Sequence, residues 1–244
     1  MWIDFVRPRT WIKLYYGIGM HKLWWIPLVA LTCACQQHET SAPQQTQPAS
    51  AAKTAPAPAD NRPALVCFGD SLTAGFGVDP GKSYPDVLQA ELDRAGYRYR
   101  VVNFGVSGDT TQDGLERLPL VLAEKPRMVV LEFGANDGLR GQPVSIAQAN
   151  LARMIEALRA AGITTVLAGI TLPPNYGPDY ISRFNAIYPA LAAKYKLPLI
   201  PFLLAGAAGH ANLMQPDGLH PNTEGTRLVA DNVARVVEPL LDKK

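Results

Sequence analysis

From residue 64 onward the chain alternates short apolar runs with longer segments whose apolar residues recur at helical spacing, and this alternation restricts the fold more than any single residue does. Strands are expected near 64–68, 99–103, 128–132, 164–168 and 198–201, and helices near 84–95, 111–122, 145–161, 179–195 and 223–241. In the 145–161 segment, Ile146, Leu151, Met154, Ile155 and Leu158 mark one helical face. Strands separated by helices require right-handed crossovers, and hence an α/β fold with a parallel sheet of about five strands and helices on both faces. Ligands of such sheets bind beyond the carboxyl ends of the strands. Residues that directly follow a strand are therefore the place to look for chemistry.

The run Phe68-Gly69-Asp70-Ser71-Leu72 leaves the first strand directly, so Ser71 sits where an exposed nucleophile belongs. A serine hydroxyl attacks well only when a base takes its proton. In isolation Ser71 reads equally as a helix cap beside a turn glycine. Near the other end, Asp217-Gly218-Leu219-His220-Pro221 places a carboxylate three residues before an imidazole, close enough in a turn for both to serve one site. His220 could accept the serine proton and return it to a leaving group, with Asp217 fixing its tautomer. Alone, Asp-x-x-His describes many surface turns; its weight comes from accompanying Ser71.

A reaction of this kind also needs donors for a developing oxyanion. Gly108, after the second strand, can present its N–H closely, with Asp109 or Thr110 placed to cap the next helix. Asn136, after the third strand, offers a side-chain amide, and the Ser71 N–H makes a third donor. Each has a plainer reading taken singly, a glycine turn or an Asx turn.

Taken together, Gly69-Asp70-Ser71-Leu72, Gly108, Gly134-Ala135-Asn136-Asp137 and Asp217-Gly218-Leu219-His220 resemble, in order and spacing, the successive blocks of the GDSL or SGNH hydrolase family. Ser107-Gly108-Asp109-Thr110-Thr111, Asn136 to Gly141, Leu172 to Gly177 and Ala186-Ile187-Tyr188-Pro189 further resemble its thioesterase I/protease I/lysophospholipase L1 branch, which includes arylesterases. The resemblance implies a three-layer, flavodoxin-like α/β/α fold. It implies Ser71, Asp217 and His220 as catalytic triad, and Ser71, Gly108 and Asn136 as oxyanion donors. It implies a small acyl ester or thioester as substrate and neither metal nor organic cofactor. Leu172, Pro173, Asn175 and Tyr176 would then border the acyl-binding groove. The same triad would also suit removal of acetyl groups from carbohydrate, and the same fold could hold acyl chains without turning them over; a binder, however, has no use for Ser71 and His220 together.

Two other motifs fail on spacing. Gly77 to Ser83 has three residues where a phosphate-binding loop needs four, and Gly105-Val106-Ser107-Gly108-Asp109 ends in Asp where a nucleophile elbow needs Gly. Nucleotide binding and a nucleophilic Ser107 are not expected.

Ahead of the folded region, Leu23 to Thr32 forms an apolar run of signal-peptide length behind Lys22, too short to span a membrane. Residues 1–35 read as an export signal toward the periplasm, starting at Met1 or at Met20. Thr32-Cys33-Ala34-Cys35 then offers two readings: Cys35 as the lipid-bearing first mature residue, anchoring the protein to a membrane, or simple cleavage near Ala34. Residues 36–62, rich in Gln, Ala, Pro, Ser and Thr, cannot bury enough surface to fold and read as a tether, and 63–244 as the hydrolase domain. Arg7, Arg9, Lys13 and Lys22 face only Asp4 within 1–35, so the formal charge of +2 leaves no basic surplus beyond it and no footprint for nucleic acid. The third cysteine, Cys67, lies in an apolar strand and reads as packing. The sequence leaves the oligomeric state open.

Overall fold

In the computed structural model the described residues are 60–243. Ala64–Gly69 forms β1, and all six of its residues are buried. Its apolar run fits a strand covered on both faces. β2 (Arg100–Gly105), β3 (Met128–Glu132), β4 (Thr164–Ala168) and β5 (Leu199–Ile200) follow, all parallel, in the order β2-β1-β3-β4-β5. Strand order reverses between β1 and β3, so the crevice beyond the ends of these two strands is where a ligand site is expected.

Eight helices run between or after the strands among the described residues: α1 (Ser71–Ala74), α2 (Tyr84–Arg94), α3 (Thr111–Ala123), α4 (Ala135–Leu139), α5 (Val144–Ala160), α6 (Pro178–Asn185), α7 (Ile187–Tyr195) and α8 (Thr223–Val237). α2 packs with α8 on one side of the sheet, and α3 packs with α5, itself beside α7, on the other. The three-layer α/β/α arrangement is therefore present. Apolar side chains such as Leu88, Leu92, Leu151, Met154 and Val233 are buried against the sheet layers. Each contributes roughly 1.5–3 kcal/mol relative to exposure.

Local chemistry sets the helix starts. Ser83 and Asp86 form a reciprocal capping box on α2, Thr110 and Asp113 another on α3, and the Asn222 side chain accepts from Glu224 N–H and Gly225 N–H at the start of α8. The Asp113 carboxyl is held below its ordinary range by the Thr110 hydroxyl and N–H. Two expected helices end differently. The 179–195 segment is split at Ala186 into α6 and α7, because Pro189 has no N–H to give the Asn185 carbonyl. α8 gives way at Glu238 to a short 3-10 turn, since Pro239 cannot extend it.

The export segment 1–35, Cys35 within it, and residues 36–59 of the tether lie outside the described residues. At 60–62 the chain is tied to α2, where Arg62 pairs with Asp60 and with Asp93 at 2.8 and 2.9 Å.

Between α2 and α8, burial and the facing Asp231 carboxylate push the Glu91 carboxyl up to about 7. The folded protein keeps this proton where the unfolded chain has released it, so stability from this group declines as pH rises from the ordinary Glu range toward 7. Glu91→Gln is accordingly expected to melt above the parent at about pH 8 and together with it at about pH 4, in circular-dichroism melts at both values.

Candidate active site

The chain reverses sharply after β1. Asp70 caps α1 by accepting the Leu72 N–H, and Ser71 becomes the first helical residue rather than the cap. The turn requires glycine at 69, where β1 and β3 are in register: a Cβ there would collide with Thr73 Oγ1 and Glu132 Oε2. Ser71 is left half-buried at the carboxyl edge of the sheet.

His220 comes from the loop before α8, 149 residues further on, and its Nε2 lies 2.8 Å from Ser71 Oγ. Its Nδ1 lies 2.7 Å from Asp217 Oδ2. Asp217 Oδ1 accepts the backbone N–H groups of Leu219 and His220 at 2.9 and 3.1 Å, so the carboxylate is anchored at both oxygens. Burial opposes its charge, but the His220 ring and these N–H groups outweigh that and hold the Asp217 carboxyl below its ordinary range. The loop is itself clamped: Gln215 N–H donates to the His220 carbonyl at 2.8 Å, and Gln215 Nε2 donates to the carbonyls of Phe76 and Pro221 at 2.7 and 2.9 Å. The Phe76 ring lies against the imidazole, centroids 4.6 Å apart.

On the far side of Ser71, Gly108 adopts φ +89°, which a residue with a side chain rarely takes, and a Cβ there would meet nothing. Backbone geometry, not space, calls for glycine here. Neither the Ser71 N–H nor the Gly108 N–H has an acceptor among the described residues. Asn136, in the first turn of α4, donates from Nδ2 to the Asp109 carbonyl at 2.9 Å and to Asp70 Oδ2 at 3.2 Å. Its amide is aimed before any ligand arrives. Thr110 caps α3, while Asp109 pairs with Arg117 at 2.6 Å; Arg117 also donates to the carbonyls of Phe104 and Gly69 and stacks over Phe68. Arg140 donates to the Gly108 carbonyl at 2.8 Å, and Asp137 accepts from the Thr111 N–H and hydroxyl.

A cavity of about 640 Å³ opens beside these groups, with Ser71, Gly108, Asn136 and His220 in its wall. The rest of its lining is mostly apolar, including Leu72, Phe76, Ile170, Phe202 and Leu204, and none of its lining residues is Asp, Glu, Lys or Arg. Leu172 and Pro173 line it as well, whereas Asn175 and Tyr176 do not. The Tyr176 hydroxyl instead donates to the Leu139 carbonyl at 2.8 Å, and Asn175 is exposed. Ser107 lies at the cavity wall with its side chain in no relay to a base, and Ser83, from the Gly-Lys-Ser run, caps α2.

Of the residues named from the sequence, Ser71, Asp217, His220, Gly108 and Asn136 come together, with Leu172 and Pro173 beside them. Sequence reading did not single out Arg117, Arg140, Gln215 or Phe76, whose partners lie across loops rather than at any fixed chain spacing. A parallel α/β sheet with a hydroxyl just past its first strand, joined by hydrogen bonds to an imidazole and a carboxylate from a later loop, has the build of a serine hydrolase.

Comparison with known proteins agrees. The model of the GDSL-like lipase/acylhydrolase family matches residues 67–228, and the chain belongs to that family. It is 47% identical over 178 residues to the esterase TesA of Pseudomonas aeruginosa, covering 72% of this chain and 89% of that protein. It is 38% identical over 179 residues to thioesterase 1/protease 1/lysophospholipase L1 of Escherichia coli, covering 73% and 85%. A crystal structure of TesA superposes with a TM-score of 0.71 at 47% identity, covering 73% of this chain and 99% of that one.

Since Gly69 leaves no room beside Glu132, Gly69→Ala is expected to destabilise the domain by about 1–3 kcal/mol or prevent its folding. The midpoint of urea unfolding measures this, and an unshifted midpoint would refute the close approach.

Proposed function

We propose that the protein hydrolyses carboxylic esters or thioesters of apolar acyl groups, with Ser71 as nucleophile. The observation that carries this reading is the unbroken relay from Ser71 Oγ through His220 to Asp217, with separations of 2.8 and 2.7 Å, at the wall of an apolar cavity. His220 takes the Ser71 proton as Oγ attacks the carbonyl carbon, and Asp217 stabilises the imidazolium. The oxyanion accepts from the N–H groups of Ser71 and Gly108 and from Asn136 Nδ2, whose longer bond to Asp70 is the one it can most readily share. His220 then protonates the leaving alcohol or thiol, and water clears the acyl-enzyme by the same steps in reverse.

The cavity lining favours an acyl or aryl group over a sugar, since binding sites for neutral apolar ligands are walled by hydrophobic and aromatic side chains with few polar groups. Leu172 and Pro173 form part of that wall, and Tyr176 serves it indirectly by holding the loop that carries them through the Leu139 carbonyl. The names of the relatives, esterase and thioesterase 1/protease 1/lysophospholipase L1, support both oxygen esters and thioesters as substrates. The domain spans 63–244. Residues 1–35 direct export to the periplasm, and the 36–62 tether joins the domain to Cys35, where lipidation would hold it at a membrane.

Ser71→Ala is expected to abolish p-nitrophenyl ester hydrolysis while leaving the melting temperature within a few degrees, and full turnover in that variant would reject the reading. Asn136→Ala is expected to lower kcat by about 10²–10³-fold with a smaller effect on KM.

A further inference from the structure

Behind Asn136, on the side away from the cavity, lies a buried carboxyl pair that the hydrolytic steps do not use. Glu132, at the end of β3, and Asp70, just beyond β1, are both fully buried, and the Asp70 N–H donates to Glu132 Oε2 at 3.3 Å. Two carboxyl groups this close and this far from water do not both ionise, so one of them carries a proton. The surrounding donors say which. Asp70 Oδ1 accepts the Leu72 N–H at 3.0 Å and Asp70 Oδ2 accepts from Asn136 Nδ2 at 3.2 Å, so both of its oxygens meet donors. Glu132 Oε2 likewise accepts, from the Thr73 hydroxyl at 2.8 Å and the Asp70 N–H at 3.3 Å. Glu132 Oε1 is buried and meets no donor. A proton on that atom removes the need for a donor there.

We propose that Glu132 is a neutral carboxylic acid in the working protein, donating its proton from Oε1 to the Asp70 carboxylate, and that it is thereby a positioning residue for the oxyanion donor Asn136. Asp70 is the intermediary. It keeps a single negative charge, and that charge aims the Asn136 amide and the Leu72 N–H. The groups facing the pair favour one charge over two. Tyr84 from α2, Cys67 from β1 and Tyr188 from α7 are neutral neighbours, and Asp109 adds negative potential. His220, across the site, favours the charge on Asp70. The nearest guanidinium, Arg117, is engaged by Asp109 and two backbone carbonyls. Burial and the adjacent Asp70 raise the Glu132 carboxyl well above its ordinary range, while burial of Asp70, offset by the Leu72 N–H and by Glu132, raises it to about 6. Both directions agree with one shared proton at neutral pH, held mainly by Glu132.

This rests on the proposed role of Asn136, so the experiment separates the proton from the catalysis. Infrared difference spectra of the full-length protein without substrate, parent minus Glu132→Gln at pH 7.5, are expected to show the carbonyl stretch of a protonated carboxylic acid belonging to the parent. Only carboxylate bands would overturn the proposal, whatever Ser71 does. For turnover, Glu132→Gln keeps a donor toward Asp70 and an acceptor toward Thr73, and is expected to retain kcat within about threefold, whereas Glu132→Leu lowers it on the order of 10²-fold with little change in KM. Equal losses in the two variants would also overturn it. Should Glu132→Leu fail to fold, the spectrum and the Gln variant decide. Loss of the hydrolytic reading would instead show as full activity in Ser71→Ala, leaving the infrared result intact.

Discussion

The parallel pairing of β1 with β3 is the constraint on which the rest of the site depends. It sets Gly69 beside Glu132, and the segments that carry Ser71 and Asn136 leave from those two strand ends. One residue past Gly69 the chain caps a short helix and exposes Ser71; a few residues past Glu132 it starts another and presents Asn136. A shift of register would displace the Ser71 hydroxyl from the Asn136 amide by a strand step of about 3.3 Å. The absence of a side chain at 69 and the presence of a long acid at 132 are thus two halves of one fit.

A second layer of interactions steadies the loops. Arg117 gathers Asp109, Phe104 and Gly69 around one guanidinium, tying the Gly108 loop to the edge of β1, while Arg140 holds the Gly108 carbonyl from the other side. Gln215 does the same for His220, joining its loop to the segment that carries Phe76. Ser71 and Asn136 sit in the first turns of short helices and Gly108 and His220 on loops, and these segments are fastened to strands or to each other. Positioning of this kind makes preorganised donors effective, because no reorganisation is left to occur during the reaction.

Much of this was legible in the sequence where the signal is local. The apolar run at β1, the helical spacing of Ile155 and Leu158, and the residues immediately after β1, β2 and β3 announce the sheet and the edge on which chemistry belongs. The pairing of Ser71 with His220 rests on their complementary chemistry and on the four-block resemblance, since no local pattern contains it. No period marks α1 or α4, since four or five residues are too few to display one. The break at Ala186 was overlooked because the apolar face continues through it, and only the missing N–H of Pro189 interrupts the ladder. Asn175 and Tyr176 sit in a motif that borders the cavity, yet side-chain direction in a turn is set by its neighbours, and Tyr176 faces the Leu139 carbonyl. Arg117, Gln215 and the Glu132 to Asp70 contact join segments far apart in the chain, where spacing carries no information.

The separation of 149 positions from Ser71 to His220 has a consequence for biosynthesis. Ser71 leaves the ribosome well before His220, which follows all five strands of the sheet. Until His220 has been made, the Ser71 hydroxyl lacks the imidazole that lies 2.8 Å from it in the folded domain. A chain terminated upstream of Asp217 lacks the contacts among Ser71, His220 and Asp217 altogether.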